Sequence, residues 1–445
     1  MITENELQIA RQALSIAQEK GAQKARVTLS KSEEDLVATL NGEIDKVTHC
    51  ADRSLSIALF VDGRFGSFST NKLESAALDD FIGKAVGIVR MLAEDSCRDL
   101  PDPRHTAHDA ITGDELGLVD AFREEMTPDI RQQVALSASI FASGSEDDRY
   151  KVISEEGEYS DSRYDSVVMD TNGLYCRHSE TSFDYGVEIT IEADGEKYSS
   201  FWWDASSRFA ELKAAECGLK AMRKAAGQID SEPAESGQYN MVVDSEVASK
   251  MVSPILRALS AYSIQQNNSF LMDSLGKKLF PDGLTLMDMP RIPGQTCSKY
   301  FDSEGVATKE AAIIEKGEVR QYFVNTYMSN KLDMAPTVED ATRPKLMPWP
   351  KPGLDRKKIL AMCGDGILVT DFNGGNSNPA TGDFSYGVEG YLFRDGKIVE
   401  PVSEMVVTGN FLTLWSGLIA AGDDARSCMS KLIPTLAFSN VDFSG

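Results

Sequence analysis

The side chains suited to acid–base and metal chemistry are few here and unevenly placed. The 445 residues contain four histidines, His49, His105, His108 and His178, and none from Ser179 to Gly445. That stretch therefore has no imidazole to ligate zinc and no histidine base. His105 and His108 are spaced H-x-x-H, but they sit in a polar segment bounded by proline with no third ligand nearby, and read as solvated loop. Ser385 lies in Gly-Asp-Phe-Ser-Tyr-Gly, which is not a G-x-S-x-G elbow. Cys363 precedes Gly364 without a base to activate it and reads as a buried structural thiol. The run Asn373–Asn378 lacks the Lys-Ser/Thr end of a phosphate loop. Carboxylate pairs such as Asp371 with Asp383, or Glu155 with Glu156, read as solvated surface in so acidic a chain. Trp202, Trp203 and Trp349 read as core or interface. The residues thus assemble no catalytic set, no metal site and no cofactor motif.

The stretch that organises the chain is Gly364–Phe411. Ile367–Phe372 is β-rich, Asn373–Thr381 is a polar glycine-rich loop, and Asp383–Phe393 is β-rich again. Asp395-Gly396 is a type I′ hairpin signal, and Lys397–Thr408 is the return strand. Polar loops held between strands are where function concentrates. Asn373, Asn376, Asn378, Thr381, Asp383 and Ser385 offer amide, hydroxyl and backbone groups that could hold an extended peptide as an added strand. The plainer reading is a structural turn that satisfies its own backbone.

The elements around this stretch indicate an α+β protein: N-terminal α/β modules with antiparallel meanders, then a larger, mainly antiparallel β domain. Thr3 and Glu6 form a capping box for a helix closed by Gly21. Strands are expected at Ala25–Ser30, Leu36–Leu40, Ile44–Thr48, Ser54–Val61 and Phe65–Ser69, with Asn41-Gly42 and Asp62-Gly63 as turns, then a helix from Lys72 to Leu92. The polar stretch Glu94–Gly113 suggests a boundary, giving a first module at 1–100. A middle module, 101–230, opens with a helix from Thr127-Pro128 to about Ala142. Its acidic segment Ser145–Asp165 holds short β candidates at Tyr150–Ser154 and Tyr164–Asp170. A strand pair over Leu174–Ile191 and an amphipathic helix over Phe209–Ala226 follow. Ser231–Gly237 reads as a linker into the third domain, 231–445. That domain begins with a strand at Tyr239–Val243 and a long helix at Ser245–Tyr262. Later pieces, Val324–Leu332 and Leu412–Ala421, are helix-like.

The net charge of −24 repels nucleic acid and anionic membrane surfaces. The one basic run, Arg343 to Lys358, is threaded with prolines and reads as an extended connector. The start lacks the basic and apolar regions of a signal peptide, and no apolar run approaches a membrane span. Seven scattered cysteines without a C-x-x-C fit a reduced, cytoplasmic setting.

Several motifs resemble the PmbA/TldD family, the "modulator of DNA gyrase" proteins. They are Tyr300–Thr308, Tyr322–Tyr327, Gly366–Asp371, Thr381–Gly387 with Gly390-Tyr391-Leu392, Pro401–Glu404, Thr408-Gly409-Asn410 and Pro434-Thr435-Leu436. The family has two branches that pair with each other. The TldD branch looks like a zinc peptidase, with an H-E-x-x-x-H helix and a later cysteine ligand. The corresponding helix here, Asp244–Tyr262, has no histidine. Where that branch has Cys-Gly-Lys, this chain reads Ile419–Asp424, and Cys428 does not match the ligand position. The resemblance is therefore to the PmbA, or TldE, branch. It implies no catalytic residue, no metal and no cofactor in this chain, and a homodimer or a heterodimer with a TldD-like metallopeptidase subunit. It further implies small or unfolded peptides as substrate and an indirect link to gyrase. Two rivals stay open: a metal-independent peptide hydrolase using Cys363 or Ser385, and a non-enzymatic peptide-binding regulator.

Overall fold

The computed structural model describes residues 1–141 and 149–445. Its N-terminal half is built on one antiparallel sheet. The strands are β1 (Lys24–Leu40), β2 (Glu43–Val61), β3 (Arg64–Thr70), β4 (Lys151–Asp170), β5 (Tyr175–Ala193) and β6 (Glu196–Ser206), in the order β3-β2-β1-β4-β5-β6. β1 joins the early meander to the later hairpins, pairing β4 from Arg26 opposite Asp170 to Leu40 opposite Glu156. Alternation along β1 turns Ala25, Val27, Leu29 and Val37 to one face. At one end of that face α1 (Glu4–Glu19) and α2 (Ser75–Val89) cover a core with Leu55, Ile57 and Val167. At the other end α3 (Pro128–Ser137) and α4 (Ala214–Ala226) cover a second core with Tyr159, Phe183 and Tyr185.

Between these cores the same face carries buried charge. Asp35 and Asp161 lie directly opposite each other on β1 and β4, a repulsive arrangement if left alone. Two arginines resolve it. Arg131, from α3, donates to both Asp161 oxygens at 2.6 and 2.9 Å and sits 2.9 Å from Asp35. Arg123 approaches Asp161 at 3.2 Å and Asp35 at 3.3 Å.

This cluster explains why the strands are longer than the sequence suggests. β1 and β2 continue through Lys31–Asp35 and His49–Arg53, and β4 through Glu155–Arg163, where apolar alternation fails. In the acidic segment Asp161 and Asp165 are buried and paired, the latter with Arg163 at 3.3 Å. Glu155, read as solvated surface, is buried and accepts from the Ile140 and Phe141 amides at 2.8 and 3.0 Å. The capping box at Thr3 and Glu6 forms as expected. Ala142 and the acidic residues Ser145–Asp148 lie outside the described residues.

The C-terminal region is a second, mainly antiparallel unit. Its strands are β7 (Gly237–Val243), β8 (Leu286–Asp288), β9 (Ala311–Glu315), β10 (Glu318–Val319), β11 (Pro344–Leu346), β12 (Gly366–Phe372), β13 (Asn376–Ser377), β14 (Asp383–Arg394), β15 (Lys397–Asn410), β16 (Leu418–Ala421) and β17 (Leu436–Ser444). The main sheet runs β12-β7-β17-β15-β14-β13, and β14 also pairs β12, so five strands close on themselves. β8 to β11 form a small separate sheet. The helices are α5 (Ser249–Ala258), α6 (Ala261–Gln265), α7 (Thr326–Leu332), α8 (Arg356–Cys363) and α9 (Phe411–Ser416). The architecture is α+β with a larger, β-rich C-terminal region, as the sequence indicates. No helix among the described residues is long and apolar enough to cross a membrane.

Four local expectations change. The long helix at Ser245–Tyr262 is split into α5 and α6, with Ser260 extended between them. Phe209–Ala226 is a 3₁₀ turn followed by α4. Leu412–Ala421 is α9 and then β16, since Gly417 ends the helix and Leu418 pairs with Phe438. The basic run is not an extended connector: Arg343 is fully buried and donates to the carbonyls of Thr296 and Ser427, and Arg356–Lys358 open α8.

The loop Phe301–Thr308 docks the two halves. The Gly305 carbonyl accepts from Ala107 N–H at 3.0 Å, and Ala307 N–H donates to the His105 carbonyl at 2.8 Å. Asp302 shapes this loop by accepting from the Glu304 and Val306 amides, both at 2.9 Å. Burial, reinforced by Glu339, pushes its carboxyl up to about 7.

Two predictions result. Arg131→Met leaves Asp35 and Asp161 with Arg123 alone between them and lowers unfolding stability by about 3–5 kcal/mol in denaturant melts. For Asp302, the folded pKa lies above the unfolded value of about 3.9. Its stabilising contribution is complete below that value and is lost as pH rises through 7. Stability relative to Asp302→Asn therefore falls between about pH 4 and pH 7 and then levels, as melts across that range will show.

Candidate functional site

The site is placed by one parallel pairing. Met241, Val242 and Val243 of β7 run alongside Ile367, Leu368 and Val369 of β12, and Asp244 N–H donates to the Val369 carbonyl at 3.0 Å. Strands that run the same way end at the same rim. β7 therefore delivers α5, and β12 delivers the 373–385 loop, side by side. Between them lies a groove of about 490 Å³, walled by Lys250, Ser253 and Arg257 on one side and by Phe372, Ser377 and Tyr386 on the other.

α5 is amphipathic. Met251, Val252, Ile255 and Leu256 enter the core. Trp415 packs there, and its indole N–H donates to the Met251 carbonyl at 3.3 Å. The opposite face gives the groove Ser249, Lys250, Ser253, Pro254 and Arg257. Lys250 Nζ lies 4.6 Å from the centre of the Tyr386 ring, a cation–π contact. A zinc centre on this helix needs imidazole, thiolate or carboxylate ligands. The face offers hydroxyls and two cations, so it does not fit the ion. Among the described residues no group of three or more His, Cys, Asp or Glu side chains could hold a metal ion.

The six candidate residues of the loop are spread along a short hairpin in which β13 pairs β14, with Asn376 opposite Ser385. Much of the loop's polarity is used internally. Asn378 N–H donates to the Asp383 carbonyl at 2.7 Å, and the Asn378 side chain accepts from Ala380 N–H at 3.0 Å. Thr381 Oγ1 donates to Asp383 at 2.7 Å, and Asn410 Nδ2 donates to Asp383 and to the Thr381 carbonyl, both at 2.9 Å. These bonds hold the Asp383 carboxyl below its usual range, Asn410 contributing most. Asn373 Nδ2 donates to Glu389 at 2.8 Å. Asn376 and Ser385 are exposed. Of the six, only Asn378 lines the groove. Gly375 makes the hairpin possible: its φ is +80°, and a Cβ there would lie 2.0 Å from the Ser385 carbonyl oxygen.

Neither proposed nucleophile is activated. Cys363 is half-buried, and burial pushes its thiol up to about 11. Ser385 has only Asn376 and Thr408 opposite it in the ladder. His105 and His108 are exposed, and His108 Nε2 lies 3.0 Å from the Pro103 carbonyl.

A second chamber, of about 550 Å³, adjoins the groove and shares Glu246, Val247 and Asp371 with it. It lies between β6 and the C-terminal sheet. Three of its four lining cations are engaged: Lys224 with Glu246 at 2.6 Å, Arg356 with Asp244 at 2.5 Å, and Arg426 stacked 4.4 Å from the Trp202 ring. Burial raises the Glu246 carboxyl despite Lys224. The Trp202-Trp203 pair was the only local sign of this chamber, because the charged partners come from distant segments.

Three family models match the chain. They describe domain 1 of PmbA/TldA metallopeptidases over residues 25–89, the central domain over 124–229 and the C-terminal domain over 236–445. "Metalloprotease PmbA" of Escherichia coli O157:H7 is 27% identical, covering 97% of this chain and 96% of its own length. A solved structure from Bacteroides thetaiotaomicron, described as a putative modulator of DNA gyrase, is 36% identical, covers 100% of both chains and gives a TM-score of 0.94. TldE from Thermococcus kodakarensis shares the fold, with a TM-score of 0.84 at 18% identity over 98% of this chain and 100% of its own. With all three domains matched in order along its length, this chain belongs to the PmbA/TldD family.

Proposed function

We propose that the chain is the non-catalytic subunit of a TldD/TldE-like heteromeric zinc metallopeptidase that acts on small or unfolded peptides. The observation that carries this reading is α5 itself, whose outer face presents Ser249, Lys250, Ser253 and Arg257 and whose residues include no histidine, cysteine or carboxylate. A lysine and an arginine beside a cation site would oppose zinc binding rather than support it. Relatives named as metalloproteases supply the peptidase half of the reading, and the zinc in this scheme belongs to a TldD-like partner.

The groove beside α5 then serves to hold peptide rather than to cut it, with Ser377, Asn378 and Pro379 of the 373–385 loop at its wall and the exposed Asn376 and Ser385 farther along the same hairpin. The gyrase connection named in a structural relative is indirect in this scheme. A net charge of −24 opposes close approach to DNA. The setting is cytoplasmic, and the chain works as a homodimer or as a heterodimer with that partner.

The test is peptide hydrolysis by the purified chain, by a TldD-like partner from the same source and by the mixture, with the metal content of each. The expected result is a metal-free, inert chain and a mixture whose cleavage a chelator abolishes. Cleavage by the chain alone, or stoichiometric metal in it, overturns the proposal. Chelator-insensitive cleavage lost on Cys363→Ala or Ser385→Ala would instead establish the metal-independent hydrolase.

A further inference from the structure

We propose that the groove between α5 and the 373–385 loop binds a carboxylate of an extended peptide through Lys250 and Arg257. The inference rests on the peptide-handling reading above and names the chemistry the groove selects.

Four observations converge. First, Lys250 and Arg257 are seven residues apart, two turns along one helix face, and both line the groove. Among the described residues neither forms an ion pair, in a molecule with a large surplus of carboxylates. Lys250 keeps a cation–π contact with Tyr386, so its ammonium is desolvated on one side only. In the adjoining chamber Lys224 and Arg356 are ion-paired and Arg426 stacks on Trp202, which leaves Arg223 as its one lining cation without an ion pair among the described residues. Second, of the two carboxylates that line the groove, Glu246 is neutralised by Lys224, and Asp371 accepts from the Phe372 amide at 2.7 Å, so two cations face one uncompensated carboxylate.

Third, the opposite wall suits a peptide backbone. Asn378 N–H faces the Asp383 carbonyl, so alternation turns the Ser377 amide and carbonyl away from β14. β13 ends its sheet and leaves the Ser377 amide and carbonyl for a peptide; the next outward carbonyl, Pro379, is taken by the Phe270 amide at 2.9 Å, so the added pairing is short. Fourth, Phe372 and Tyr386 pack edge to face, with ring centres 5.7 Å apart, and give side chains an apolar surface. The net charge of −24 sets the class of ligand. It disfavours a polyanion, so the ligand brings one carboxylate on an otherwise neutral or basic chain. That carboxylate is either the C-terminus or an acidic side chain.

The test uses the full-length chain without a partner, so it does not depend on which subunit holds metal. A labelled hexapeptide of alanine, glycine and valine is prepared as the free acid, as the C-terminal amide, and as the amide with one internal aspartate. Binding is read by fluorescence anisotropy. The free acid should bind roughly tenfold tighter than the plain amide. Lys250→Gln together with Arg257→Gln should erase that difference while leaving the thermal melt unchanged. If the aspartyl amide binds as well as the free acid, the groove takes either carboxylate and the proposal stands. Three peptides that bind alike, a free acid that does not bind at millimolar concentration, or a preference that survives both substitutions would overturn it. Failure here leaves the subunit assignment intact, because that assignment is decided by cleavage and metal content.

Discussion

The C-terminal region depends on one parallel pairing in an otherwise antiparallel sheet. β12 is shared, with β7 beside it in the same direction and β14 on its other side running against it. Its Gly366–Val369 segment is buried, as strands enclosed by neighbours on both faces are. Because β7 and β12 finish at one rim, a helix and a loop separated by more than a hundred residues become the two walls of one groove. Asp244 secures the junction. Its amide bonds to β12, its Oδ1 accepts from Glu246 N–H at 3.0 Å, and its Oδ2 accepts from Arg356 at 2.5 Å. A buried carboxylate with partners on this many sides fixes the start of α5 relative to the sheet.

The N-terminal half solves a different problem. A sheet with strands of up to 20 residues is too long for one pair of helices to cover. Helices close the two ends, and the Arg123–Arg131–Asp35–Asp161 cluster fills the gap between the two apolar cores. Buried ion pairs contribute little net stability when complete and cost much when broken. Their value here is geometric. Charges that must meet their partners allow one alignment of β1 against β4, whereas a slipped register would leave Asp35 and Asp161 without Arg131. The rigid sheet then holds β6 against the C-terminal region and frames the chamber at Trp202.

What could be read in the sequence was what residues do locally. Asn41-Gly42, Asp62-Gly63, Asp194-Gly195 and Asp395-Gly396 all adopt the positive φ values their residue types favour. The Thr3 cap, α2, and the strands flanking Asp395 were visible for similar reasons. The middles of the long strands were not, because Lys31–Asp35 and His49–Arg53 lack alternation and are held by neighbours in the ladder. Asp365-Gly366 has the same residue types as those turns, yet Gly366 begins β12, where the Asn240 carbonyl oxygen would lie 2.1 Å from a Cβ. The polar loop at Asn373–Thr381 was legible as a loop. The plainer reading, a turn that satisfies its own backbone, fits the bonds of Asn378, Thr381 and Asp383, but the contribution of Asn410 was not legible, since it lies far along the chain. The cations of α5 drew no notice because a lysine and an arginine on a helix normally face water. Only the β7–β12 pairing shows that they face a groove.

The position of β17 has a consequence for how the molecule is made. The last strand lies between β7, the first strand of its sheet, and β15. Phe438 sits opposite Met241, and Phe443 opposite Gly237. During synthesis β7 emerges long before β17, and until β17 arrives the ring stays open with an unpaired edge on either side of the gap. Non-local closure of this kind is slow and leaves apolar strands exposed to other chains. The ring of the C-terminal region therefore closes only once β17 has been delivered between β7 and β15.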